Sequence, residues 1–168
     1  MHDLYTIAGR TDAAGCTLAQ PDFATAVAQN NITFRIPTPV FGGGLIEAIE
    51  DSTIIANIKS PAVMGVTGHE NREGNAGTVT RFGWKAQNKS LLIFSGEAYN
   101  VEQGVSNEVF LQEREESPQC TYNPYPEDHT NYEETQPQKI SSNAVNFATF
   151  MRFLAPPQPV TSYTSVVV

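Results

Sequence analysis

No stretch of the 168-residue chain approaches the roughly 18 consecutive apolar residues that a bilayer-spanning helix needs, so the sequence speaks against membrane insertion. Met1-His2-Asp3-Leu4 has no basic n-region or apolar h-region and does not read as a signal peptide. Positive charge is scarce: ten Lys and Arg against eighteen Asp and Glu leave a net charge of −8. Such a field repels phosphate backbones and anionic lipid, which argues against nucleic-acid and membrane-surface roles. The run Gly42-Gly43-Gly44 lacks the lysine of a G-x-x-x-x-G-K-[ST] loop and any G-x-G-x-x-G pattern, so a flexible joint is expected there, not a phosphate cradle. No Gly-x-Ser-x-Gly elbow occurs, and nothing local pairs a nucleophile with a base. His2, His69 and His129 have no second ligand at helical spacing and no nearby cysteine pair, which disfavours zinc. Two cysteines, Cys16 and Cys120, stand far apart with no C-x-x-C, and either a disulfide or two unrelated thiols fits them.

What is present is enough for one domain with a core, since 40% of the residues are hydrophobic and nine Phe, six Tyr and one Trp are among them. Twelve Gly and eleven Pro promise long irregular connections. The expected fold class is mainly α with irregular loops and a few short strands. Leu4 to Ile7 reads as a short strand. A helix follows Pro21, with Phe23, Ala24, Val27 and Ala28 on one face and a stop at Asn30-Asn31. Ile32 to Ile36 is β-prone and ends at Pro37-Thr38-Pro39. Two short helices follow, over 45–49 and 53–58, the second capped by Asp51-Ser52. Thr78 to Phe82 is a strand candidate leading into Gly83-Trp84-Lys85.

The clearest helix carries Leu91, Phe94, Ala98 and Val101 at helical spacing, with Asn88 or Ser90 as cap and Gly104 at the left-handed terminal position. From Gln112 to Gln138, prolines and acidic residues with little apolar periodicity make a long surface excursion. Glu113, Glu115, Glu116, Glu127 and Asp128 offer oxygens to a hard cation, but their spacing is no EF-hand and a solvated run is expected. Ser141 or Ser142 then caps a helix through Val145, Ala148, Phe150, Met151 and Leu154, which Pro156-Pro157 ends. The tail from Val160 to Val168 is expected to fray, and no internal repeat is visible.

Four stretches together resemble one family: His2-Asp3-Leu4-Tyr5-Thr6-Ile7-Ala8-Gly9-Arg10-Thr11-Asp12, Phe34-Arg35-Ile36-Pro37-Thr38-Pro39-Val40-Phe41-Gly42, Arg81-Phe82-Gly83-Trp84-Lys85-Ala86-Gln87-Asn88, and Asn143 to Pro157. They look like the bacterial di-haem oxidoreductases, a group of peroxidase-like or thiol-oxidoreductase-like c-type cytochromes. The resemblance implies a cytochrome-c-peroxidase-like fragment over 1–157, with the excursion 112–138 and a tail 158–168. In that family the matching region lies between two haem-attachment motifs. The chain has no C-x-x-C-H, the sequence that fixes haem c by two thioethers and an imidazole, so no haem is expected to attach covalently here and the chain alone is expected to be inactive.

The parent is expected to be periplasmic or secreted, to carry haem c, and to exchange electrons with a redox partner protein or a small-molecule oxidant. By the same resemblance Glu102, in Gly96-Glu97-Ala98-Tyr99-Asn100-Val101-Glu102-Gln103-Gly104, corresponds to the distal acid of the peroxidases. Glu97 is placed on a different part of that helix surface. Trp84 is implied as an electron carrier between haems, and Arg35 and Arg81 as partners of haem propionates. A haem-free structural or binding module is the rival expectation, favoured for this chain by the missing attachment motif.

Overall fold

A computed structural model of the chain describes residues 14–16, 21–58, 64–73, 77–112, 118–120, 125–129 and 141–159. Among them stand five α-helices: α1 (Phe23–Ala28), α2 (Gly43–Glu47), α3 (Asp51–Ala56), α4 (Leu91–Gln103) and α5 (Asn143–Phe153). The expected strand over 4–7, the tail from Val160 and most of the acidic excursion lie outside the described residues. No described helix is long and apolar enough to cross a membrane.

The three short helices are far below the length at which a helix stands alone in water, so caps and packing hold them. In α1, the Asp22 carboxylate accepts the Thr25 amide at 2.9 Å and the Thr25 hydroxyl at 2.6 Å. These bonds favour the charged form and hold Asp22 below the usual carboxylate range. Helix α4 has the start and stop expected of it. The Ser90 hydroxyl accepts the Ile93 amide at 3.2 Å, and Gly104 adopts φ +75° as the left-handed terminator.

The core sits where α4 and α5 cross, with α2 laid across them. Phe82, Leu91, Ala148 and Met151 form it, flanked by Val40, Leu92 and Phe94. Burying Leu91 alone is worth about 1.5–3 kcal/mol. Ala144 and Ala148 keep the α5 side of the contact shallow, and the Ser95 hydroxyl lies at 3.0 Å from the Ala144 carbonyl across the gap. The expected apolar stripe of α5 therefore narrows. Ala144, Ala148 and Met151 face inward, whereas Phe150 is 63% exposed.

The expected flexible joint is packed helix instead. Gly42 takes φ +72° at the start of α2, and Gly43 and Gly44 lie inside that helix. A side chain on Gly44 would collide with the Arg152 carbonyl of α5, so the glycine allows the two backbones to touch. The strand expectations shrink to isolated bridges, Arg72 with Val79 and Phe82 with Asn88. The β-prone stretch over 32–36 forms no regular element, and Phe34 and Ile36 are exposed because no described strand lies beside it.

Three side chains tie distant segments together. Glu47 accepts the Leu91 amide at the head of α4 and the Arg152 guanidinium of α5. Asp51, expected to cap α3, instead accepts the Val79 amide at 2.9 Å and pairs with Arg81. The hydroxyl expected to cap α5 is not used for it. The buried Asp128 does so from the excursion, taking the amides of Asn143 at 2.7 Å and Ala144 at 2.9 Å. Cys16 and Cys120, both buried, are joined in a disulfide with their Cα atoms 4.7 Å apart.

Candidate functional site

Helix α4, the segment over 33–40, the turn at Gly83-Trp84 and Phe147 and Met151 of α5 line an open cavity of about 690 Å3. Its walls are mostly apolar, with Val40, Phe94, Val101 and Phe147 among them, and its charged groups are Arg35, Glu97 and Glu102. Size and lining suit an organic ligand or cofactor.

In the wall opposite α4, Pro37 and Pro39 bias the residues before them, Ile36 and Thr38, toward extended backbone. The Arg35 guanidinium stacks 5.2 Å above the centroid of the Trp84 ring. Trp84 remains 51% exposed, which is unusual for a residue that commonly anchors a core.

Trp84 stands on a short 3-10 turn, Trp84–Ala86, bent by unusual backbone. Lys85 and Ala86 take φ +55° and +52°, in the left-handed region that side chains other than glycine avoid, at about 1–3 kcal/mol each. The turn is closed by the reciprocal backbone bonds of Phe82 and Asn88, each 2.9 Å. Gly83 takes φ +78°, a conformation that side chains rarely adopt, and a Cβ there would press on the Asn88 side-chain carboxamide at 2.9 Å.

Glu97 was not expected in this site, yet it lines the cavity together with Glu102. Its carboxylate accepts from Gln87 Nε2 at 2.7 and 2.9 Å and from Asn88 Nδ2 at 2.5 Å. The glutamate thus bridges α4 to the far end of the Trp84 turn. Glu102 sits in the last turn of α4, exposed at the cavity mouth.

Arg35, Trp84 and Glu102 are therefore brought together, whereas Arg81 is absent from the lining. Its guanidinium donates to the Ile46, Glu47 and Ile49 carbonyls at the end of α2 and pairs with Asp51. Arg81 Nε is buried and has no partner among the described residues. His69 and His129 are exposed, and His2 lies outside the described residues. No group of three potential metal ligands occurs among the described residues.

The residues of the cavity fit the side of a haem: apolar walls and an indole for the macrocycle, a guanidinium for its carboxylates, and carboxyl groups near the rim. They do not supply attachment, since no histidine or cysteine is among the lining residues. No curated protein and no solved structure matches the chain. A family model described as di-haem oxidoreductase, putative peroxidase, matches residues 4–145. That match spans the cavity residues from Thr33 to Gln103, with the Trp84 turn among them, and the chain belongs to the di-haem oxidoreductase family.

Proposed function

We propose that the chain builds the wall of a haem cavity in an extracytoplasmic di-haem c-type oxidoreductase that reduces peroxide, with the haem-attachment motifs outside these 168 residues. One observation carries this reading: Arg35, Trp84 and Glu102, distant in sequence, line one cavity with mostly apolar walls. The disulfide between Cys16 and Cys120 supports an oxidising compartment. Haem, when bound, supplies one-electron iron chemistry and activation of the O–O bond.

Arg35 offers its guanidinium to carboxylate substituents by charge-assisted hydrogen bonds. Trp84 presents a half-exposed indole that can carry an electron between haems. Glu102, at the mouth, relays a proton between solvent and the interior through its carboxyl oxygens. The apolar walls limit water around the ligand.

The test uses the full reading frame with c-type maturation. Glu102→Gln is expected to lower peroxide turnover by about 10²-fold or more, with covalent haem and fold retained. Full turnover in that variant returns Glu102 to a solvated helix-end carboxylate. A haem-free binding module is the second reading, favoured by the absence of C-x-x-C-H in the chain. Haem-stained denaturing gels of the 168-residue chain and of the full frame separate the two: stain in the full frame alone supports the first.

A further inference from the structure

We propose that Glu97 is a positioning residue that fixes the Trp84 turn, and with it the Arg35 stack, against α4. The functional weight of this inference rests on the haem-cavity reading, but its test does not. A turn containing two non-glycine residues at positive φ does not persist on backbone preference; the surrounding structure must over-determine it. The backbone bonds between Phe82 and Asn88 close the base of the turn. Within the turn the Ala86 amide donates to the Gly83 carbonyl at 3.1 Å, and the Asn71 carboxamide to the Ala86 carbonyl at 3.2 Å, which leaves the tie between the turn and α4 to side chains. Gln87 and Asn88 follow the strained pair directly, and both carboxamides donate to Glu97.

Geometry makes the link directional. Glu97 projects from the middle of α4, a 13-residue helix anchored in the core, so the rigid partner is the helix and the turn is what it restrains. Carboxylate oxygens accept only, and the facing carboxamide nitrogens donate only, so all three contacts match in sign. Glu97→Gln breaks that match. Its oxygen can serve one amide, its NH2 faces the other NH2 unless the Gln87 side chain turns over, and the charge that strengthens every contact is gone. Exchanging the partners restores the match. In Q87E/E97Q, the carboxamide oxygen introduced at position 97 accepts from Asn88, while the NH2 beside it donates to the carboxylate introduced at position 87.

Trp84 is the single tryptophan, so intrinsic fluorescence reads the turn alone, with no cofactor needed. In Glu97→Gln, acrylamide quenching of Trp84 is expected to rise toward about twice the wild-type value, a ceiling set by an indole already 51% exposed. Far-UV circular dichroism should stay unchanged. Q87E/E97Q is expected to return quenching to the wild-type value, and Glu102→Gln to leave it there. Unchanged quenching in Glu97→Gln overturns the proposal, as does a double variant that quenches like the single one. Should Glu97→Gln fail to fold, a folded double variant with wild-type quenching upholds the proposal and an unfolded one refutes it. Peroxide turnover enters none of these outcomes, so a failure of the haem-cavity reading would show separately.

Discussion

Arg152 near the end of α5 holds Glu47 at the end of α2 through two bonds, of 2.6 and 3.1 Å, while the same carboxylate accepts the Leu91 amide at 2.8 Å. Glu47 is therefore both an ion-pair partner and a helix cap, and it joins the three helices of the core. The Arg152 hydrogen bond is the main reason its pKa lies below the usual carboxylate range, despite some opposing burial; the same bond raises that of Arg152. A depressed carboxylate stabilises the fold above its unfolded pKa, and that share is lost as pH falls through the folded value. Glu47→Gln should cost about 1–2 kcal/mol at neutral pH, combining a lost cap with a partly exposed ion pair. Thermal melts from pH 7 down to pH 3 should show the gap to wild type closing below the ordinary carboxylate range. A gap that is constant with pH would contradict the assignment.

Asp128 is the second remote cap. Asp128→Asn keeps the shape, but its NH2 would face one of two amides that now have carboxylate acceptors. Because the site is buried, the expected cost is about 1–3 kcal/mol. Amide exchange at Ala144 should accelerate more than exchange in the middle of α4. Equal protection in wild type and variant would mean that another group caps α5.

Gly44 offers a test of sign. Gly→Ala inside a helix ordinarily stabilises by about 0.5–1 kcal/mol. Here the added carbon would meet the Arg152 carbonyl, so Gly44→Ala is expected to destabilise, lowering the denaturant midpoint. A raised midpoint would show that α2 and α5 are less closely apposed.

Opening the disulfide removes a constraint across 104 residues of sequence. In the chain-entropy account that constraint is worth about 4–5 kcal/mol. C16A/C120A should therefore melt well below the oxidised protein and close to the reduced wild type. If it matched the oxidised protein instead, the bridge would contribute little to holding 118–120 in place.

The features legible from sequence were the local ones. Ser90 and Gly104 bracket α4 by rules that operate within a single turn, and α1 ends at Ala28, two residues before Asn30, which takes φ +55°. What escaped was every long-range substitution of one group for another. The Ser142 hydroxyl gives way to Asp128, 15 residues before Asn143 in the chain, and periodicity alone placed Phe150 on the inner stripe of α5. The three glycines read as a loose joint because nothing in their own segment announces the approach of Arg152. Within the cavity, Arg35, Trp84 and Glu102 came from family resemblance, not from spacing. Glu97 was missed because its partners reach it only through a turn whose left-handed positions are lysine and alanine.

The bridge between Cys16 and Cys120 also divides the molecule mechanically. Helices α1 to α4 lie inside a covalent ring, while Asp128 and α5 hang outside it on a single length of chain. A chain pulled by its ends while oxidised is shorter at full extension by roughly 350 Å than the same chain reduced. The ring cannot unravel under that load, so the first element to peel is α5, away from the Glu47 clasp and the Ser95 contact. A protease cut between the two cysteines leaves one molecule, whereas a cut between Asp128 and Asn143 leaves α5 retained by non-covalent contacts alone, its packing and its bonds to Glu47, Ser95 and Asp128.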